Sequence, residues 1–270
     1  MFHRHPVTRC LALISLLAAC STPAPPPTGT PAGGEAATAP AVDAKPKKPT
    51  IGPSVHVDPD TGFSVNSSTI PTAAGTVIGG INAFCEPADV NHTRPGGNVS
   101  PHINWKNAPE GTKSFALFVV DPDAPASGDT ANKDNMTIPK DAPRIDFYHW
   151  VVTNIPANRT RIEEGASARG VVPGGKPPGD REFGREGLND YSRWLEGDYA
   201  GWDGPCPPWN DERIHRYIFE LFALDIENLH PSGPFTGPDA KVVMEGHILA
   251  KASFTGIYIL NPGVSLPPAG

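Results

Sequence analysis

Four short segments of the 270-residue chain set ionisable and rigid residues at the ends of apolar runs. Residues 121–125, Asp-Pro-Asp-Ala-Pro, follow the run Ser-Phe-Ala-Leu-Phe-Val-Val at 114–120. His149 opens the run 149–153. Residues 204–208, Gly-Pro-Cys-Pro-Pro, form a stiff loop. His215 and Tyr217 open the long run 216–224. Strand ends converge on one edge of a sandwich, so residues far apart in sequence can meet there. Bond-breaking chemistry would need a nucleophile, a base and an orienting group within hydrogen-bond reach. Cys206, His215 and Asp121 are the one such set. It is a poor one, because Cys206 lies between two prolines and is itself a candidate disulfide partner. The chain has no HExxH, paired CxxC, GxSxG or phosphate-cradling glycine loop. No enzyme, metal or cofactor is therefore expected.

Each residue also has a plain structural reading. Asp121 fits a turn cap before Pro122, as Asp-Pro often does. His149 and His215 fit hydrogen-bonded core histidines. Tyr217 alternates with Phe219 and Leu221, so that strand buries one face whatever the tyrosine does. Asp123 reads as structural.

The elements that must hold these residues are mostly strands. The runs 114–120, 149–153, 216–224 and 254–260 are rich in β-branched and aromatic residues and are separated by Gly, Pro, Asn and Asp. One helix is expected over 238–251, with Val242, Val243, Gly246, Ile248 and Leu249 on one face. Several buried strands with few helices predict a mainly β, antiparallel sandwich. Residues 126–146 and 165–210 are long and polar, and such loops inside a compact domain are usually functional.

The amino terminus has the layout of an export signal. A basic stretch precedes the apolar run 11–19, about half the length needed to cross a bilayer. The run ends in Leu-Ala-Ala-Cys, which resembles a bacterial lipobox and predicts removal of residues 1–19 and lipidation of Cys20. The alternative is an ordinary cleaved signal with an incidental cysteine. Ser21 would favour sorting to the outer membrane in a Gram-negative cell. Residues 20–54 follow as a tether: 21–50 holds eight prolines and no aromatic residue, too little apolar surface to offset ordering. A folded domain over 55–262 and a tail at 263–270 complete the division. The formal charge of −7 becomes −9 once Arg4 and Arg9 leave with the signal. With no long basic run, that excludes a nucleic-acid grip. Outside the cytoplasm, an even pair of cysteines bridges more often than not, so Cys85 and Cys206 are expected to form a disulfide. The alternative is two small buried side chains that never meet.

Residues 98–105 (Asn-Val-Ser-Pro-His-Ile-Asn-Trp), 121–125, His149-Trp150, 204–208 and 215–217 occur in an order and spacing that resembles the phosphatidylethanolamine-binding protein family, in particular its bacterial Raf-kinase-inhibitor-like branch. The resemblance spans residues 55–262 and implies a β-sandwich with short helices. It also implies a small pocket for phosphate or a phosphorylated head group, built from Asp121, Pro125, His149, the Gly204-Pro205 turn, His215 and Tyr217. Two imidazoles, a phenol and backbone N–H groups would donate to oxyanion oxygens. Asp121 would orient a histidine or accept the proton of a protonated phosphate, while raising the histidine's pKa. A second reading, also from the resemblance, is an interaction protein that inhibits a protease or modulates a kinase. With the export signal, its partner would lie in the cell envelope. The stretch 176–203, with Tyr191, Trp194, Tyr199 and Trp202, is longer and more aromatic than the resemblance leads one to expect. Packing is the favoured reading for these aromatics, with ligand recognition as the other.

Overall fold

The structure, a computed structural model, describes residues 55–266; the expected signal, Cys20 and tether lie outside them, as do residues 267–270. In chain order the described residues form β1 (Val55–His56), β2 (Ser64–Asn66), β3 (Cys85–Pro87), β4 (Thr93–Pro95), β5 (Ile103–Lys106), β6 (Ser114–Pro125) and β7 (Arg144–Pro156). They continue with β8 (Arg161–Ile162), β9 (Gly175–Lys176), β10 (Gly179–Arg181), β11 (Gly184–Glu186) and a 3-10 turn (Asp190–Arg193). The last elements are β12 (Asp198–Tyr199), β13 (His215–Leu224), α1 (Gly237–Met244) and β14 (Ile248–Tyr258).

Seven strands make one antiparallel sheet in the order β1-β14-β13-β6-β7-β11-β10, and β2-β5-β8 make a smaller one. The central strand β6 explains the layering. Side chains alternate faces along a strand, so Phe115, Leu117 and Val119 enter one core with Val65, Ile103 and Trp105 of the small sheet. Ala116, Phe118 and Val120 enter a second core with Phe235, Ala240 and Met244. Both faces are covered, and the strand is apolar without a break from Phe115 to Val120. The result is the expected mainly β, antiparallel sandwich.

The helix is shorter than expected and uses another face. Asp239 Oδ2 accepts from the N–H (2.9 Å) and hydroxyl (2.7 Å) of Thr236, fixing the start. Gly246, at φ 82°, ends it, because that left-handed conformation costs a glycine nothing. Ala240 and Met244 are buried while Val242 is 65% exposed. Residues 248–251 belong instead to β14, where Ala250, Ala252 and Phe254 point inward with a period of two.

The aromatic stretch 176–203 divides. Tyr191, Tyr199 and Trp202 are buried, and Trp202 stacks on Phe219. Trp194 is half exposed. Cys85 and Cys206 form a disulfide across a sequence separation of 121, with Cα atoms 5.1 Å apart. The bridge ties the 204–208 loop to β3.

Candidate functional site

The register between β6 and β7 slips between Asp121 and Ala124. Pro122 has no N–H to offer the ladder, and such irregularities re-aim side chains at sheet ends. Asp121 and Pro125 from this strand, His149 from β7, and His215 and Tyr217 from β13 then line one cavity of about 280 Å³. Phe84, Phe147, Tyr191, Trp194 and Leu195 form an apolar wall. Trp194 reaches the cavity past Gly128, where a Cβ would lie 2.5 Å from the indole ring.

The 204–208 loop contributes differently from the expectation. Cys206, Pro207 and Pro208 face the cavity; Gly204 and Pro205 do not line it. The Gly204 N–H donates to Asn98 Oδ1 (2.9 Å), and its carbonyl accepts from the Tyr191 hydroxyl (2.9 Å). The Pro205 carbonyl accepts from the N–H groups of Phe84 (2.9 Å) and Cys85 (3.3 Å). Glycine is required here, since a Cβ would fall 2.0 Å from the carbonyl oxygen of Asn82. This turn positions the wall, and the Gly204 N–H is not free for a ligand.

His215 also departs from its expected role. Its Nδ1–H donates to Asp121 Oδ2 at 2.7 Å, and its Nε2–H to Asp211 Oδ2 at 3.2 Å. Burial opposes the imidazolium, yet the two carboxylates outweigh it and raise the pKa to about 9. The ring is a buried cation with both N–H groups engaged. Asp211 in turn accepts from Arg144, whose Nη2 lies 3.0 Å from Oδ1. Burial would raise the Asp211 carboxyl, but His215 and Arg144 hold it below its ordinary value.

His149 is the opposite case. Its Nδ1 lies 2.7 Å from the carbonyl oxygen of Asp203. A carbonyl only accepts, so Nδ1 carries the proton. Burial lowers the pKa of His149 more than Asp121, Asp203 and Asp190 raise it. The ring is neutral, and Nε2 is the nitrogen left to meet a ligand. Asp203 is itself fixed by Lys176 Nζ (2.6 Å), Asn98 Nδ2 (2.8 Å) and Asn189 Nδ2 (2.8 Å).

Tyr217 is fully buried beside His149, ring centroids 5.0 Å apart. Its hydroxyl lies beside the Asp121 carboxylate but outside hydrogen-bond geometry, and no other group of the protein meets it. Burial and the Asp121 charge raise its pKa well above the ordinary phenol value, so it stays protonated. A buried, unmatched O–H donor at the base of a cavity is costly unless a ligand or water meets it.

Sequence reasoning missed Asp211, Arg144 and Asn210. The buried Asn210 side chain donates to the carbonyls of Thr130 (2.8 Å) and Met136 (3.0 Å), and accepts from Asn132 N–H (3.0 Å). It thereby holds the 130–138 segment, whose Ala131 and Asn132 line the cavity. Only the four-residue spacing of Asp211 from His215 hinted at a partnership. Asp123 is structural as expected, pairing with Arg213 (3.0 Å) and Arg216 (2.7 Å). Among the described residues no cluster of three or more His, Cys, Asp or Glu is arranged to hold a metal.

A family model described as phosphatidylethanolamine-binding protein matches residues 68–259. The chain belongs to that family. Among relatives, a UPF0098 protein of Aquifex aeolicus is 35% identical over 167 residues, 62% of this chain and 78% of the relative. The UPF0098 protein YbcL of Escherichia coli is 33% identical over 165 residues, 60% of this chain and 73% of the relative. The crystal structure of E. coli YbcL, described as a new member of the mammalian PEBP family, aligns with a TM-score of 0.53 at 29% identity. It covers 73% of this chain and 98% of that one. The sandwich and its strand-end cavity are thus set in a phosphatidylethanolamine-binding protein framework.

Proposed function

We propose that the protein binds a small ligand through an oxyanion of the phosphate type, held at the base of the cavity by Tyr217 and His149. The observation that carries this reading is the buried Tyr217 hydroxyl with no partner, beside an imidazole with one free nitrogen. An oxyanion oxygen satisfies the hydroxyl, and the apolar wall accommodates the rest of the ligand. Binding rather than bond-breaking is supported by Cys206, whose sulfur is bonded to Cys85 and is no nucleophile. The leader sequence supports a location outside the cytoplasm, with the domain tethered to a membrane by lipid on Cys20. No helix among the described residues is long and apolar enough to cross a membrane. The test is calorimetric titration with inorganic phosphate and phosphoethanolamine. Saturable binding that weakens in His149→Ala supports the reading, and identical isotherms for the two proteins overturn it.

A further inference from the structure

The stretch 176–203, which supplies Tyr191, Trp194 and Leu195 to the cavity wall, is closed end to end by an ion pair. Lys176 Nζ, at one end, lies 2.6 Å from Asp203 Oδ1 at the other. Lys176 of β9 pairs in parallel with Tyr199 of β12, and the two strands approach closely because residue 175 is glycine. A Cβ there would fall 2.1 Å from the Asp198 carbonyl oxygen.

The Asp203 carboxylate is fully buried and meets three donors. Lys176 Nζ and Asn98 Nδ2 (2.8 Å) reach Oδ1, and Asn189 Nδ2 (2.8 Å) reaches Oδ2. An asparagine would set its own NH2 group against one of these donors. A carboxylate this deep also needs a cation to offset its desolvation, and Lys176 supplies it. The backbone of Asp203 brackets His149. Its N–H donates to the His149 carbonyl (3.1 Å), and its carbonyl accepts from Nδ1 (2.7 Å). The nearby carboxylates Asp121 and Asp190 are matched elsewhere, by His215 and by Arg193 with the Tyr148 N–H. Asn189 carries the same support to the wall. Its Oδ1 accepts from the Tyr191 N–H (3.0 Å), and the Tyr191 ring meets His149 edge-on, centroids 5.6 Å apart.

We infer that Lys176 and Asp203 are positioning residues for ligand binding: their ion pair clasps the 176–203 segment behind the cavity and fixes the His149 ring and the 191–195 wall as one preformed unit. Neither residue lines the cavity. Preformed groups lose less freedom when a ligand arrives, so opening the clasp weakens binding without removing any ligand contact. That binding consequence rests on the oxyanion reading; the positioning itself does not.

The test uses the full chain with isotopically labelled histidine. In the parent protein, the ring-nitrogen resonances of His149 should show a single tautomer, protonated on Nδ1. Lys176→Met keeps the apolar stem and removes the amine. It is expected to mix the two tautomers, to accelerate amide exchange over residues 189–195 relative to β6, and to weaken methyl phosphate binding about fivefold or more. Should the uncompensated Asp203 charge prevent folding, the neutral pair Lys176→Met/Asp203→Asn carries the same expectations. A folded variant that keeps either the single Nδ1–H tautomer or the parent exchange over 189–195 overturns the positioning role, and so does failure of both variants to fold. Mixed tautomers and faster exchange with unchanged methyl phosphate affinity leave the clasp standing and overturn the part given to His149 in binding. Failure of the parent protein to bind methyl phosphate overturns the oxyanion reading alone, since tautomer and exchange are read without ligand.

Discussion

His215 Nδ1 lies 2.7 Å from Asp121 Oδ2 inside a cavity wall, and Asp211 meets the other ring nitrogen at 3.2 Å. The contact makes His215 a fixed cation that organises the site, and leaves His149 and Tyr217 as the groups proposed to meet a ligand. Asp121→Asn removes one of the two charges that hold the imidazolium in a buried position. Breaking a buried ion pair on one side costs about 3 kcal/mol or more. Chemical denaturation should show a loss of that order in Asp121→Asn, while a change under 1 kcal/mol would mean that the pair contributes little.

The same contact makes stability depend on pH. The folded pKa of His215, about 9, lies above its ordinary 6.5. A raised pKa stabilises fully below the unfolded value and is lost as pH rises through the folded one. Up to about 3 kcal/mol should therefore disappear between pH 6.5 and 9.5. His149 has the opposite sign: with its pKa depressed, it withdraws stability as pH falls below 6.5. Unfolding free energies measured across this range should decline on the alkaline side, and His215→Asn should abolish that decline. A flat alkaline limb in the unsubstituted protein would refute the assignment.

The disulfide spans 121 residues of sequence and anchors the loop bearing Cys206, Pro207 and Pro208. Replacing both cysteines with serine should cost about 2–5 kcal/mol, most of it through the freer unfolded chain. Denaturant unfolding of the double variant checks the magnitude. Indifference of the unsubstituted protein to a dithiol reductant that demonstrably opens the bridge would count against a stabilising role.

Asn210 offers a local test. Replacing it with alanine leaves the carbonyls of Thr130 and Met136 and the N–H of Asn132 without their partner. The expected cost is about 2–3 kcal/mol. Amide hydrogen exchange should accelerate over residues 130–138 and stay unchanged in β6. Uniform acceleration across the sheet would instead indicate global destabilisation.

How much of this was readable beforehand follows from where each signal is stored. Strand β6 is legible because both its faces are covered, and its sequence is apolar from Phe115 to Val120. Asp121, Pro125, His149, His215 and Tyr217 were legible as a set because strand ends place them on one cavity, and the family resemblance points the same way. Arg144 and Asn210 are not, because Arg144 meets Asp211 67 residues away and Asn210 meets Thr130 80 residues away, and no local pattern encodes such pairings. For Asp211 the four-residue spacing from His215 is a signal too weak to stand alone. The helical spacing runs past the true end of α1, because Ile248 and Leu249 continue it and Gly246 falls on the same face although it ends the helix. The donor role expected of Gly204 failed for a related reason. Its close approach to Asn82 and its bond to Asn98 are long-range packing facts.

The proposed anchor has a direct consequence in cells. Lipidation at Cys20 predicts that the chain sediments with membranes and that Cys20→Ser releases it into a soluble exported fraction. Fractionation with metabolic lipid labelling reads both, and an unlabelled, already soluble parent protein would remove the anchor.

The central claim is that the buried, unpartnered Tyr217 hydroxyl exists to meet a ligand. Tyr217→Phe removes an oxygen that no well-formed hydrogen bond of the folded protein holds, so stability should hold or rise slightly. Calorimetric titration of methyl phosphate at pH 5.5 into the parent protein and Tyr217→Phe is the most direct measurement. The account predicts affinity at least tenfold weaker in a variant that melts no lower than the parent. Equal affinity in the two proteins would contradict it.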